Sequence, residues 1–429
     1  MIIFDSHITI CPLRRVSKED WKELDPGITA IVNEIEDLIH CSLLDPFLAA
    51  LSTLTLPAVL LRDLIDEMAV MAETDSQGAF VGRITEQLFC KNSLSDIRNS
   101  FATKHKQSWS ALVGKLKKAD LAKTVEQLKC FQDKVKNEKV KNEKGGGGMK
   151  KKGGPALAEY SRWFSKYCPN SLELPGQYTG CSKPVSSLRK TISRFEDNIL
   201  VLSSLRRPVR LTLLLDNGER YPVLVKGGED LRTDQRVMQL LRVMDRTLQT
   251  TLRDASLKTY DVIPLSNSLG MIAWMPGTTT LQSVLYEDKE FKKAASRAKQ
   301  DFNAWVSKFG TAKDGDHDCY RKMYERCSLD DVTLQRKKLT SNLPADRLKS
   351  VLVGLARSPN SFVTLRRKFV CTYVSMCLCH WILGVGDRHL NNYLLDTRTG
   401  ELIGIDFGHV FGTATTVSLL PVFLLDTAV

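Results

Sequence analysis

Apolar positions in the first third of the chain recur with the period of a helix. Ile28, Ile31, Ile35 and Ile39 form one stripe, which Val32 and Leu38 widen. Ser17, with Asp20 three residues on, has the form of a capping box. Pro26, Pro46 and Pro57 divide the following stretch into helices of ordinary length, and further helical runs are predicted over Ala79–Phe101 and Trp109–Phe131. No titratable side chains gather there at a meaningful spacing. Residues 1–133 therefore read as an all-helical region for packing or docking.

The pattern then breaks. VKNEK occurs twice over Val135–Lys144, followed by four glycines and MKKKGGP. Such a stretch offers no core to bury and is costly to order, so residues 134–155 are predicted to be a Lys/Gly-rich flexible linker. Beyond it the apolar period falls to two. Thr191–Phe195, Ile199–Ser203, Val209–Leu215 and Tyr221–Val225 read as strands, with Asp216–Glu219 as a hairpin turn before the last. Lys226 closes that strand. A helix is predicted from Asp230 to Thr250, and Asp234 shares its inward face with Val237 and Leu241. Strands near Tyr260–Ile263 and Gly270–Trp274 follow, before Pro276-Gly277 ends the sheet. Residues 156–275 thus form a β-rich small lobe.

Helices dominate the large lobe, residues 276–429. The last, Ser361–Leu383, carries Phe362, Leu365, Phe369, Tyr373, Met376 and His380 on one stripe, where His380 reads as a satisfied core histidine. Gly384 and Gly386 stop it. Then comes GVGDRHLNNYLLDTRTGELIGIDFG, in which Tyr393–Leu395 and Leu402–Ile405 flank the turn Asp396–Gly400. Two short apolar runs around such a turn form an antiparallel hairpin, bringing Asn392 and Asp406 to one end with Asp387 in the loop that feeds it. The fold expected is α+β: two lobes, β-rich then helical, behind an all-helical region.

Composition adds three bounds. A hydrophobic share of 43% and a charged share of 26% suit a globular chain, and no apolar run reaches spanning length. The eleven cysteines lack paired metal-ligand spacing and read as reduced thiols. Of the net charge of +12, much sits between Lys115 and Lys152, where 13 Lys face five acidic residues. No aromatic or arginine interleaving there supports base stacking, and the stretch reads as solvated rather than as a nucleic-acid contact.

The hairpin end groups hard oxygen donors suited to Mg²⁺ carrying nucleotide phosphates. Phosphoryl transfer needs a cation on those phosphates, metal ligands, a group that orients the attacking hydroxyl and a loop over the phosphates. Lys226 fits the first role, held by Asp234 or Glu229; Asn392 and Asp406 fit the second and Asp387 the third. His389 suits donation to the transferring group. The stretch Ser203–Pro208, with Ser204, Leu205 and Arg206, suits the loop, although it has no Gly-x-Gly-x-x-Gly pattern.

At these residues the chain resembles the phosphatidylinositol-3-kinase-related protein kinases. The resemblance is carried by LPGQY (Leu174–Tyr178), SLRRP (Ser204–Pro208), LVKGGEDLRTDQR (Leu224–Arg236), HWILGVGDRHLNN (His380–Asn392) and GIDFGHVFG (Gly404–Gly412), and CSLLDPFLAALS (Cys41–Ser52) is similar to the helical segment preceding such a domain. It implies ATP-dependent phosphorylation of Ser or Thr before Gln. It places Lys226 on ATP, Asp387 and His389 in catalysis, Asn392 and Asp406 on Mg²⁺, and Trp274 and Met275 against adenine. It further implies protein substrates and a nuclear role in DNA-end repair with the Ku heterodimer. Thr233 stands where the family usually has Gln, and Ala273 where an acidic residue is common. The chain stops at Val429, short of further helices found in the family, and the expectation is a truncated large lobe. Two other readings follow from the same residues: a phosphoinositide lipid kinase, disfavoured because residues 409–423 hold no Lys or Arg, and a non-catalytic interaction fragment.

Overall fold

The computed structural model describes residues 44–70, 77–89, 95–116, 120–145, 156–167, 172–177, 189–202, 204, 206–251, 254–311, 316–411 and 413. The capping box at Ser17 and the Ile28–Ile39 stripe lie outside them. Packing divides the chain into two compact units. One takes the residues up to Arg232 with Asp261–Trp274, and the other Thr233–Tyr260 with the residues from Met275 on.

The first unit begins with helices α1 (Leu44–Ser52), α2 (Pro57–Val70), α3 (Gln77–Phe89), α4 (Asp96–Leu116) and α5 (Leu121–Gly145). Pro57 opens α2, where a missing N–H costs no helical bond. The helical run predicted over Ala79–Phe101 takes in parts of α3 and α4, and the start of α4 is encoded in Ser95-Asp96: the Ser95 hydroxyl accepts the Arg98 amide at 3.3 Å, as an N-cap does. The flexible linker expected over 134–155 also needs correction. Helix α5 runs through both VKNEK copies to Gly145, because Lys and Glu are good helix formers. Residues 146–155 lie outside the described part.

Helices α2 to α5 share one core, with Leu61, Ile65, Ile84, Leu88, Trp109 and Leu128 at its centre. Helix α1 instead joins the core of the sheet. Its Phe47 and Leu51 pack with Tyr160 of α6 (Leu157–Tyr160) and Phe164 of α7 (Arg162–Lys166) against Leu211, Leu213, Val223 and Met271. The sheet holds β1 (Ile192–Phe195), β2 (Leu200–Val201), β3 (Val209–Leu215), β4 (Arg220–Gly227), β5 (Val262–Ser266) and β6 (Leu269–Ala273). Its order is β1-β3-β4-β6-β5, with β2 on β3, and every pair is antiparallel. The predicted Asp216–Glu219 turn is present, with Gly218 at φ +80 donating to Leu215 O at 3.0 Å.

The second unit contains α8 (Arg232–Thr251, all but its first residue), α9 (Leu281–Tyr286), α10 (Lys289–Ser307), α11 (Asp316–Arg326), α12 (Leu329–Thr340), α13 (Arg347–Leu355) and α14 (Pro359–Ile382). Its sheet is β7 (Thr278–Thr280), β8 (Tyr393–Asp396) and β9 (Leu402–Gly404). The predicted hairpin is there, pairing Tyr393 with Gly404 and Leu395 with Leu402. Strand β7 was not foreseen: Pro276-Gly277 ends one sheet and leads straight into another, with Thr280 opposite Leu394. Leu365, Phe369, Met376 and His380 of α14 face inward as the stripe predicted, and Phe362 and Tyr373 are half-buried. Among the described residues no single helix is long and apolar enough to cross a membrane.

Candidate functional site

The hairpin fixes the first group of candidates. Ile405 N donates to Asn392 O at 3.0 Å, so Asn392 and Asp406 lie at the same end, as predicted. The side chain of Asn392 is buried, and its Nδ2 donates to the carbonyl of Asp387 at 2.8 Å. One amide therefore ties together two candidate positions five residues apart. Asp387 (φ +52) and Asp406 (φ +62) both hold left-handed backbone, which Asp tolerates better than most side chains. His389 is half-buried and its carbonyl accepts from Asn392 N at 2.8 Å.

Arg388 holds this arrangement from below. Its Nε donates to Gly386 O at 2.9 Å, its Nη1 to Ile405 O at 2.8 Å and its Nη2 to Asp406 O. The guanidinium is buried; that desolvation lowers its pKa, while Tyr393, Asp406, Asp387 and Tyr260 push the other way. An arginine has five donors and no second protonation state in reach, so it serves as a fixed clamp between the Asp387 loop and the strand leading to Asp406.

Asp234 joins this cluster. From the first turn of α8 its buried Oδ1 accepts the amide of Phe407 at 3.0 Å. The same group includes Tyr260, which no sequence pattern singled out. Tyr260 is 5% exposed and makes a hydrogen bond with the Asp406 backbone. Burial, then the carboxylates of Asp234 and Asp406, raise its phenol far above the ordinary value, keeping it protonated. Its segment is anchored on the hairpin by the Lys258–Glu401 pair at 3.0 Å and on α14 by Asp254–Arg367 at 2.5 Å. Under the hairpin, His380 meets Phe407 edge-on at 5.6 Å. It is a core histidine, but not a satisfied one: Nε2 is buried without a hydrogen-bond partner, and burial with the nearby Arg388 cation pulls its pKa down to about 3.

The first unit collects the other candidates except Met275, which belongs to the second. Lys226, at the end of β4, is 13% exposed and its Nζ lies 3.3 Å from Glu229 Oε2. Of the two carboxylates expected to hold it, Glu229 is thus brought to it. Glu229 also takes Arg206 Nε at 3.4 Å, so the loop before β3 and the lysine meet on one carboxylate. In that loop Leu202 N donates to Pro208 O at 3.0 Å and Arg207 N to Ser204 O at 3.1 Å; Ser204 is exposed, and Leu205 lies outside the described residues. Trp274 is half-buried, bonded through its amide to Pro222 O at 3.0 Å, with the Arg210 guanidinium 5.4 Å from its ring. The carbonyl of Met275 accepts from Thr278 Oγ1 at 2.8 Å.

Among the described residues no three His, Cys, Asp or Glu side chains stand close enough to form a metal centre alone. The donor set at the hairpin end is one amide and one carboxylate. That suits Mg²⁺, which keeps few protein ligands and completes its shell with phosphate oxygens and water.

Residues 220–421 match the family model described as phosphatidylinositol 3- and 4-kinase. That stretch is a little under half of the chain. It takes in every candidate residue except those of the loop before β3. The chain is 40% identical over 280 residues to the DNA-dependent protein kinase catalytic subunit of Gallus gallus, which covers 62% of this chain and 7% of that protein. It is 30% identical over 439 residues to the protein of the same name from Dictyostelium discoideum, covering 95% of this chain and 10% of the relative. To the serine/threonine-protein kinase TOR of Arabidopsis thaliana it is 32% identical over 244 residues, 56% of this chain and 9% of the relative. It therefore spans about a tenth or less of the length of these relatives.

Proposed function

We propose that the chain is the kinase region of a serine/threonine protein kinase that transfers the γ-phosphate of ATP to protein hydroxyls. The observation that carries this is the Asn392–Asp406 mouth of the hairpin, with Asp387 bonded to it through Asn392 Nδ2. The family match and the protein-kinase relatives support it.

In this reading Lys226, aimed by Glu229, neutralises charge on the ATP phosphates. Asn392 and Asp406 would hold Mg²⁺, which supplies charge neutralisation at the phosphate oxygens when bound. Asp387 accepts and orients the attacking hydroxyl, and His389 donates to the phosphoryl group as its charge develops. Asp234, Tyr260 and Arg388 position the backbone on either side of Asp406. Trp274 and Met275 would contact adenine, and Ser204 with Arg206 would face the phosphates.

The family resemblance of the sequence implies the setting: Ser or Thr before Gln as target, DNA double-strand-break repair by end joining in the nucleus, and the Ku heterodimer at DNA ends as partner. The family name also covers lipid kinases, but residues 409–423 bring no Lys or Arg for an inositol phosphate. The test is transfer of labelled γ-phosphate to three acceptors: a Ser-Gln peptide, its Ser-Ala counterpart and phosphatidylinositol vesicles. Labelling of the first alone is expected. Labelling of the vesicles alone reverses the substrate assignment, and labelling of neither peptide nor lipid refutes transfer by this chain.

A further inference from the structure

Two residues of the helical region reach the turn that follows Lys226. A Cβ on Gly227 would lie 1.9 Å from Thr55 Oγ1, and one on Gly228 would lie 2.2 Å from Asp63 Oδ2. Gly228 also holds φ +79, which a side chain would strain. The missing side chains let helix α2 and the residues before it close on the end of β4. Seated there, Asp63 is 13% exposed, with Oδ1 2.6 Å from Arg206 Nη1 and 2.9 Å from Arg62 Nη2. The Arg206 contact is an ion pair rather than an aligned hydrogen bond, since Nη1 has no hydrogen-bond partner by angle. Arg206 continues to Glu229 at 3.4 Å, and Glu229 to Lys226 at 3.3 Å. Charge alternates along the whole run: Arg62, Asp63, Arg206, Glu229, Lys226.

Asp63 Oδ2 is buried with no hydrogen-bond partner. Burying part of a carboxylate this way is unfavourable unless cations compensate, and Arg62 and Arg206 do. We infer that Asp63 is a positioning residue for nucleotide binding: through Arg206 it fixes the Glu229 carboxylate that aims the Lys226 ammonium. This rests on the kinase reading of Lys226. It makes the helical region part of the nucleotide machinery rather than packing alone.

Positioning and simple electrostatics predict opposite signs for the loss of Asp63. A carboxylate near a polyphosphate repels it, so removing Asp63 should tighten ATP by Coulomb's law alone. Loss of positioning weakens it instead, because Arg206 and Glu229 are then free to take other rotamers.

The test titrates Mg·ATP and, separately, adenosine into the full chain by calorimetry, using wild type, Asp63→Asn, Asp63→Glu and Arg206→Gln. Asp63→Asn should weaken ATP about fivefold or more with adenosine unchanged. Asp63→Glu should recover most of the loss, and adding Asp63→Asn to Arg206→Gln should change little, since both act through one ion pair. Unchanged or tighter ATP binding by a folded Asp63→Asn overturns the inference and leaves the kinase reading intact. A proportional loss of adenosine binding also overturns it, as the mark of a general structural defect. Should Asp63→Asn not fold, Asp63→Ser carries the same comparison of ATP against adenosine. Failure of the wild-type chain to bind ATP removes the kinase reading and this inference with it.

Discussion

The Asp234 carboxylate accepts the amide N–H of Phe407 at 3.0 Å, across 173 residues of sequence. It fixes the residue after Asp406 to the first turn of α8. Asp234→Asn keeps the shape and an acceptor oxygen but removes the charge. Losing a buried charge-assisted bond should cost about 1–3 kcal/mol, and Asp234→Ala more, since the Phe407 amide is then left unpaired. Denaturant unfolding of the purified variants reads this directly. Midpoints equal to wild type would show that the bond contributes nothing.

His380 sets a pH dependence. Its pKa in the folded chain is depressed to about 3, against an ordinary 6.5. As pH falls below the upper figure the unfolded chain takes up a proton that the folded chain refuses. Stability is therefore fully present above about pH 6.5 and is lost as pH falls towards the folded value, by up to ~1.4 kcal/mol per pH unit from this group. His380→Gln should flatten the curve in that window when unfolding free energy is followed against pH. Parallel curves for the two proteins would contradict the burial of a neutral imidazole.

Gly400 closes the hairpin turn at φ +77, and a Cβ there would lie 2.6 Å from the backbone oxygen of Leu365. Gly218 holds φ +80 in its own turn, where a Cβ would meet nothing within 4 Å. Alanine at Gly218 should cost the left-handed penalty of about 1–2 kcal/mol alone. Alanine at Gly400 should add about 1–3 kcal/mol more, because backbone cannot swing aside as a side chain can. Thermal melts of the two variants separate the terms; equal losses would refute the close approach of α14 to the turn.

What could be read in the sequence was local. The Asp396–Gly400 turn and its two apolar runs specify β8 and β9 within a dozen residues, so Asn392 and Asp406 were placeable without a structure. The same holds for Asp216–Glu219 and the stripe on α14. Arg388, Tyr260 and Asp63 were not legible. Arg388 acts on carbonyls 17 and 18 residues away, and Arg206 meets Asp63 across the whole helical region. No periodicity encodes such pairings. The error at α5 has another origin: Lys and Glu in a low-complexity stretch were read as solvation, when their helix propensity decides the local backbone.

The proposed function rests on the hairpin end, where Asn392 and Asp406 would hold the Mg²⁺ that carries ATP. The most direct measurement is the unfolding temperature of the purified chain with and without Mg·ATP, for wild type and Asp406→Ala. Binding to the folded state alone should stabilise wild type by ~2.7 kcal/mol at a hundredfold excess over the dissociation constant. Asp406→Ala should lose most of that shift, measured from its own melting temperature without nucleotide, which alanine lowers at this left-handed position (φ +62). No shift in wild type, or an equal shift in Asp406→Ala, would contradict the account.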